Sequence, residues 1–276
     1  MKSIRIFLDG NIVKATPRLL KSLSPGIVKG KGVFETMRSY QGKIFALDDH
    51  LRRLNKGLKI LRIQCSYSSS KLQSYLQDVL KVNHLKNARL RLSVWQEGQK
   101  VHTAIVCEKF PILSKKKKGF KAVISKYKLK SEKFPTIKSI QYSPFRKAFL
   151  EAKAKGYDEA ILLNQNNEIV EGSRTNIFFI KDNQLFTPAL TTGCLEGITR
   201  RYVMQCAKKL RFSCREVHAT LGELLEADEV FLTNSIIEIV PLGFINGQKI
   251  GKTQTAWTFK LWVSLRGLFF RPKQSF

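Results

Sequence analysis

Glu171-Gly172-Ser173-Arg174-Thr175-Asn176 stands directly before the apolar run Ile177 to Ile180, and the rest of the chain is read outward from it. The stretch joins a carboxylate, a conformationally permissive glycine and a run of short polar side chains to a strand of β-branched and aromatic residues. It is expected to be a loop that aims several polar groups into one pocket. Upstream, Lys138 follows the extended Phe134-Pro135-Thr136 and precedes a helix expected from Pro144 to about Lys155. Downstream, Leu195-Glu196-Gly197-Ile198-Thr199-Arg200 opens another helix with a glycine and a hydroxyl, where unpaired backbone N–H groups can receive a phosphate.

The 276 residues exceed a usual single core, and 43% of them are hydrophobic, enough for a packed interior. The 49 Lys and Arg against 21 Asp and Glu give a formal charge of +28. That balance raises nucleic-acid binding as a reading. Against it, the densest run, Lys115 to Lys118, falls at an expected domain junction. No zinc-ligand spacing, RNA-binding aromatic signature or helix-turn-helix accompanies it, so no specific nucleic-acid partner is expected. The charge is read as a solvated lysine-rich surface, part of which attracts an anionic substrate. Cys65, Cys107, Cys194, Cys206 and Cys214 are odd in number and scattered, which suggests neither a disulfide framework nor a metal site and fits a reducing cytoplasm. Asp9-Gly10 interrupts any apolar leader near the start, and no run approaches transmembrane length. The stretch Trp257 to Phe276 mixes aromatics with Lys260, Arg266, Arg271 and Lys273, but its stripe Trp257, Leu261, Leu265 and Leu268 favours a packed helix over a membrane-surface one. No membrane partner is expected.

Periodicity predicts two α+β units. In the first, Asp9-Gly10 turns a hairpin between Ile4 to Leu8 and Ile12-Val13, and Gln41-Gly42 turns another between Val33 to Tyr40 and Lys43 to Leu47. Asp48 is expected to cap a helix with the stripe Leu51, Leu54, Leu58 and Leu61; a second helix from Ser70 carries Leu72, Leu76, Val79 and Leu80. Strands near Arg89 to Val94 and Thr103 to Phe110 complete residues 1–113. The proline- and lysine-rich stretch Pro111 to Gly119 places an interdomain linker at 114–120. Residues 121–276 are expected to be a cofactor-binding domain with strands Lys121 to Lys126, Ala160 to Leu163, Thr175 to Ile180 and Glu229 to Leu232. Its helices are expected near 144–155, 198–210, 220–226 and 253–265, with a further hairpin at Asn246-Gly247.

Five ordered motifs resemble one family: Gly30-Lys31-Gly32-Val33-Phe34-Glu35-Thr36-Met37-Arg38, His50-Leu51-Arg52-Arg53-Leu54, the segments around Lys138 and Glu171, and Ala227-Asp228-Glu229-Val230-Phe231-Leu232-Thr233-Asn234-Ser235. The chain is similar to the fold-type IV pyridoxal-phosphate enzymes, or class IV aminotransferases. These include branched-chain aminotransferases, D-amino acid aminotransferases and aminodeoxychorismate lyases. The resemblance covers most of the chain and implies a two-domain α+β / α/β fold like that of D-amino acid aminotransferase, pyridoxal 5'-phosphate as cofactor, and a homodimer.

It also implies roles. Lys138 would attach the cofactor, its amine made nucleophilic by desolvation or neighbouring positive charge. Glu171 would keep the pyridine nitrogen protonated, and Tyr142 would reach the phenolic oxygen. Arg53, three residues after His50, would fork onto the phosphate, which Gly197, Ile198 and Thr199 complete. Neighbouring Arg52 points about 100° away on a helix, so only one of the two faces the site. His50 is read as a packing residue. Ser173, Thr175, Asn176, Thr233 and Asn234 would line the same cofactor site, with Arg174 shaping it, and Phe34, Arg91 and Ser235 would meet the substrate. For each, the plain alternative is a surface lysine, a turn carboxylate or a packing residue.

Lys31 stands where many members carry an acidic residue, which bears on local contacts rather than on cofactor chemistry. Gln96-Glu97-Gly98 lacks the arginine before glycine that D-amino acid aminotransferases use, so that specificity is disfavoured. Thr233-Asn234-Ser235-Ile236-Ile237-Glu238-Ile239-Val240-Pro241, with Arg89 to Val94 and Phe34 to Arg38, is more like the lyases than the branched-chain enzymes, which have a threonine-glycine turn there. The resemblance thus implies a lyase that releases pyruvate from 4-amino-4-deoxychorismate and leaves 4-aminobenzoate, a folate precursor. An amino acid aminotransferase is the near alternative. A basic nucleic-acid-binding protein is the distant one, distinguished by whether the purified chain is yellow with bound cofactor.

Overall fold

The computed structural model describes residues 4–24, 29–111, 119–129, 137–141, 143–251 and 256–269. The chain divides into two compact units, Met1–Leu113 with Ile137–Tyr142, and Ser114–Thr136 with Ser143–Phe276. Most of the expected linker and all of Tyr142 lie outside the described residues.

The first unit runs β1 (Arg5–Leu8), β2 (Asn11–Lys14), α1 (Pro17–Ser22), β3 (Lys31–Tyr40), β4 (Lys43–Ile44), α2 (Leu47–Ile60), α3 (Ser69–Val82), β5 (Ala88–Glu97) and β6 (Lys100–Lys109). Among the described residues its strands form one antiparallel sheet in the order β2-β1-β6-β5-β3-β4. Alternation along β3 and β5 turns Val33, Met37, Leu90, Leu92 and Val94 to one face, where the leucine stripes of α2 and α3 cover them. Each such side chain contributes about 1.5–3 kcal/mol on burial. Helix α2 does not start on the expected Asp48 cap. Ala46, in the left-handed region at φ 50°, turns the chain out of β4, and no side chain caps the helix. Asp48 and Asp49 instead occupy the first turn, where their charge meets the positive end of the helix dipole.

The segment Ile137 to Gln141 belongs to this unit because it pairs with β3. Phe34 N donates to Lys138 O at 2.9 Å, Ile140 N donates to Gly32 O at 3.0 Å, and Val33 and Ser139 form an antiparallel bridge. Ile140 is buried with Phe34 and Trp95.

The second unit runs β7 (Phe120–Ile124), α4 (Ser143–Ala154), β8 (Glu159–Leu163), β9 (Ile169–Gly172), β10 (Asn176–Lys181), β11 (Gln184–Pro188), α5 (Ile198–Lys209), β12 (Cys214–Val217), α6 (Leu221–Leu225), β13 (Glu229–Asn234), β14 (Glu238–Ile245), β15 (Gln248–Lys249) and α7 (Ala256–Phe269). Among the described residues the sheet order is β12-β11-β10-β13-β14-β7-β8-β9, with β15 paired to β14. Strand β7 runs parallel to β8 and β14, and β11 runs parallel to β12. Ala148 and Ala152 of α4 pack on Ala160 and Leu162, while Ile161, Ile177, Phe179, Val230, Leu232 and Val240 build a second core closed by Leu224 of α6. Phe178 and Phe231, on the other face, stack at 5.0 Å.

Several elements differ from expectation. Glu171 lies in β9, opposite Leu162 of β8, because strand pairing extends to Gly172; the expected loop shrinks to the turn 173–175. Strands β9, β11 and β12 and helix α1 have no counterpart in the expected elements, the hairpin expected at Asn246-Gly247 joins β14 to β15, and α7 occupies Ala256–Phe269 where 253–265 is expected.

Candidate functional site

On the first unit the decisive group is a buried ionic cluster. Glu35 shares its face of β3 with Val33 and Met37, so a carboxylate points at the helices with 1% exposure. Helix spacing brings two residues of α2 to it: Arg53 Nε donates to Oε1 and Nη2 to Oε2, both at 2.7 Å, and His50 Nδ1 lies 2.6 Å from Oε2. Burial alone would push the Glu35 carboxyl up. The charge and hydrogen bonds of Arg53, with those of His50, outweigh it and hold the pKa down at about 2. An ionised carboxylate only accepts, so His50 donates through Nδ1. Burial depresses the His50 pKa despite Glu35, and the charges of Arg53 and Lys138 depress it further, so the ring stays neutral. Arg52 turns away to Asp49, 73% exposed, as the register argument requires.

Lys138 is half-buried, and its Nζ lies 4.9 Å from the centroid of the Phe34 ring. Cross-strand pairing of Phe34 with Ser93 and of Thr36 with Arg91 puts Phe34 and Arg91 on one sheet face. Arg91 Nη2 donates to Leu23 O at 2.9 Å. Burial, then the charge of Arg89, lowers the Arg91 pKa to about 10, so it keeps its charge at neutral pH.

On the second unit Glu171 is 6% exposed at the end of β9. Asn176, first residue of β10, donates through Nδ2 to Glu171 Oε2 at 3.1 Å and to Leu195 O at 2.9 Å. One amide thereby ties the carboxylate to the loop that opens α5. Gly197 caps that helix without any side-chain bond, leaving the first N–H groups beside buried Ile198 and Thr199 uncapped by a side chain. Its φ of −69° suits any residue; glycine is needed because a Cβ there would lie 1.9 Å from Asn176 Oδ1. Burial, with the charge of Glu171 adding, pushes the Cys194 thiol up to about 12.

The other expected residues of this unit have partners of their own. Ser173 and Thr175 turn their hydroxyls to a second buried carboxylate, Glu159. Thr233 Oγ1 donates to Glu238 O at 2.5 Å. Asn234 donates through Nδ2 to Arg174 O at 2.9 Å and accepts from Ile236 and Ile237 N, which shapes the turn carrying half-buried Ser235. The structure therefore gathers Phe34 with Lys138 on one unit, and Glu171, Asn176 and Gly197 on the other. Glu35 and Glu159 were missed by the sequence reading, although β-strand alternation already put Glu35 on the core side of β3.

On the first unit a fixed guanidinium is a group that suits a phosphate, and on the second a helix N-terminus free of side-chain caps is another. A buried carboxylate held by an amide suits a protonated ring nitrogen, and a half-buried amine suits an aldehyde. Among the described residues no cluster of His, Cys, Asp and Glu could hold a metal ion, and no helix is long and apolar enough to cross a membrane.

The sequence pattern of the family described as Amino-transferase class IV matches residues 32–243. A putative branched-chain-amino-acid aminotransferase of Methanocaldococcus jannaschii is 32% identical over 264 residues, covering 91% of either chain. An aminodeoxychorismate lyase of Bacillus subtilis is 32% identical over 253 residues, covering 86% of this chain and 85% of its own. The crystal structure of a T.th. branched-chain amino acid aminotransferase with pyridoxamine 5'-phosphate superposes with a TM-score of 0.86 at 27% identity, over 99% of this chain and 96% of that one. With a family pattern over residues 32–243, relatives 32% identical over most of their length and a matching fold, the chain belongs to the class IV aminotransferases, enzymes that work with pyridoxal 5'-phosphate.

Proposed function

We propose that this enzyme is a 4-amino-4-deoxychorismate lyase, releasing pyruvate and leaving 4-aminobenzoate. The cofactor, when bound, would supply an electron sink conjugated to the substrate's amine-bearing carbon. Lys138 would attach it, and the Lys138 amine would take the proton from the reacting carbon and return one. Glu171, kept in place by Asn176, holds the proton on the ring nitrogen. Arg53, aligned by Glu35, and the N–H groups at Ile198 and Thr199 bind phosphate, and the Thr199 hydroxyl assists. Ser173, Thr175, Thr233 and Asn234 shape the wall; Tyr142 is assigned the phenolic oxygen. Phe34, Arg91 and Ser235 are assigned to the substrate, whose carboxylates suit the cation of Arg91. A homodimer in a reducing cytoplasm is part of the same reading.

The observation that favours the lyase is the turn after β13. Asn234 builds it with its side chain and ties it to Arg174, in place of a threonine-glycine turn. The Bacillus subtilis relative supports the same choice. A second reading, an amino acid aminotransferase, is supported by the Methanocaldococcus jannaschii relative and by the superposed branched-chain enzyme. The test is to incubate the protein with aminodeoxychorismate alone, and separately with an amino donor and a keto-acid acceptor. Pyruvate and 4-aminobenzoate formed without any added keto acid support the lyase. Turnover confined to the donor–acceptor pair refutes it and leaves the aminotransferase.

A further inference from the structure

Glu159 opens β8 with 2% exposure, and it takes part in none of the steps above. Its Oε1 accepts from Ala160 N at 2.9 Å and from the Ser173 hydroxyl; Oε2 accepts from Arg174 N at 3.2 Å and the Thr175 hydroxyl at 3.0 Å. Three of these four donors belong to the turn between β9 and β10, and all four are neutral. Burying a carboxylate among neutral partners is unfavourable, and here burial does push its pKa up, against the pull of the four hydrogen bonds. The turn already has backbone bonds of its own, from Gly172 N to Thr175 O at 2.7 Å and from Ser173 N to Ala160 O at 2.8 Å. It also sits flush on the carboxylate: a Cβ on Gly172 would come 2.1 Å from Thr175 Oγ1 and 3.1 Å from Glu159 Cδ. From the other side, Asn234 holds Arg174 O, and the Arg174 guanidinium stacks 3.3 Å over Phe149.

We propose that Glu159 is a positioning residue, anchoring from behind the turn that joins Glu171 to Asn176 and so fixing the carboxylate–amide pair at the cofactor ring. This rests on the reading of Glu171 as the partner of the ring nitrogen. Glu159 touches neither cofactor nor substrate; it acts by removing freedom from the two residues that flank the turn.

The experiment compares Glu159→Gln, Glu171→Gln and the double variant in the full chain. It uses hydrogen exchange of the 170–177 peptide in the cofactor-free protein, the dissociation constant for pyridoxal phosphate, kcat and KM for the substrate that turns over, and Tm. Gln fills the same space but presents an N–H₂ to N–H donors. Glu159→Gln is expected to speed exchange across 173–176 and to lower kcat by about tenfold with little change in KM. In the double variant kcat should fall no further than in Glu171→Gln alone. Unchanged exchange, a lower Tm with undiminished kcat, or losses that add fully in the double variant would each overturn the positioning role. If Glu171→Gln is impaired and Glu159→Gln is not, only the role of Glu159 falls. Should Glu171→Gln keep full turnover, the reading of Glu171 falls first and the role of Glu159 with it. If Glu159→Gln fails to fold, Thr175→Val removes one of the four bonds and is held to the same outcomes.

Discussion

Each unit buries a carboxylate in a strand, and the two are pushed in opposite directions. Glu35 faces a guanidinium and an imidazole and is held at about 2; Glu159 faces only neutral donors and is driven upward. Burial is the largest influence on both, so the difference lies in whether a cation stands within hydrogen-bonding distance. Four neutral hydrogen bonds do not offset desolvation, whereas one bidentate arginine with a histidine does. Around these two carboxylates the first unit supplies a cation and the second only neutral donors, a contrast that mutation can break or sharpen.

The largest effect is expected where the first unit meets chemistry. Lys138→Ala should abolish the adduct trapped with borohydride while leaving the fold intact by circular dichroism; trapping at another lysine of the unaltered protein would remove Lys138 from its assigned role. Next comes Glu35→Ala, which removes the buried carboxylate that both Arg53 and His50 bond. It should lower unfolding free energy by about 3–5 kcal/mol in urea melts. Arg53→Ala should then weaken cofactor retention by about 1.5–3 kcal/mol, and exposed Arg52→Ala hardly at all. Equal retention in the two variants would undo the helix register.

Acid should also separate the units. Glu35 has a folded pKa of about 2, below its ordinary 4.5, so its stabilisation is complete above 4.5 and is lost as pH falls towards 2. His50 is held below its ordinary 6.5, so the unfolded chain takes up a proton first and stability declines as pH drops beneath 6.5. Glu159 has the reverse sign: its raised pKa makes ionisation costly to the fold, and that penalty fades in acid. Urea midpoints should therefore fall between pH 7 and about 5 chiefly through His50, and a His50→Asn variant should show a flatter profile. The smallest effect is Thr187→Val, which removes the buried bond from Thr187 Oγ1 to Ile177 O at 2.8 Å and should cost about 1 kcal/mol by thermal unfolding.

The apolar periodicities were legible. The leucine stripes of α2 and α3 and the alternation in β5 depend only on which residues prefer the interior, and they packed as that preference requires. Strand β9 was not legible, because Ile169–Gly172 is four residues long and ends in a glutamate and a glycine; its pairing with β8 comes from tertiary contact. Helix α1 could have been found, since Thr16 caps it and Pro17 occupies its first turn. The grouping of Glu171, Asn176 and Gly197 was visible as candidate residues. The bonds from the Asn176 amide to Glu171 and to Leu195 were not, because they run through a side chain whose direction only the fold determines.

Those bonds also restrict how this sequence can change. Because a methyl group at position 197 would occupy the space of the Asn176 amide oxygen, the two residues form a locked pair in mutational terms. Gly197→Ala alone is blocked by contact, although its backbone angles would accept it. Asn176 would have to be replaced first, and that step releases Glu171 before any side chain at 197 could compensate. On the role proposed for Glu171, change at position 197 therefore runs through an intermediate that has lost the Asn176–Glu171 bond.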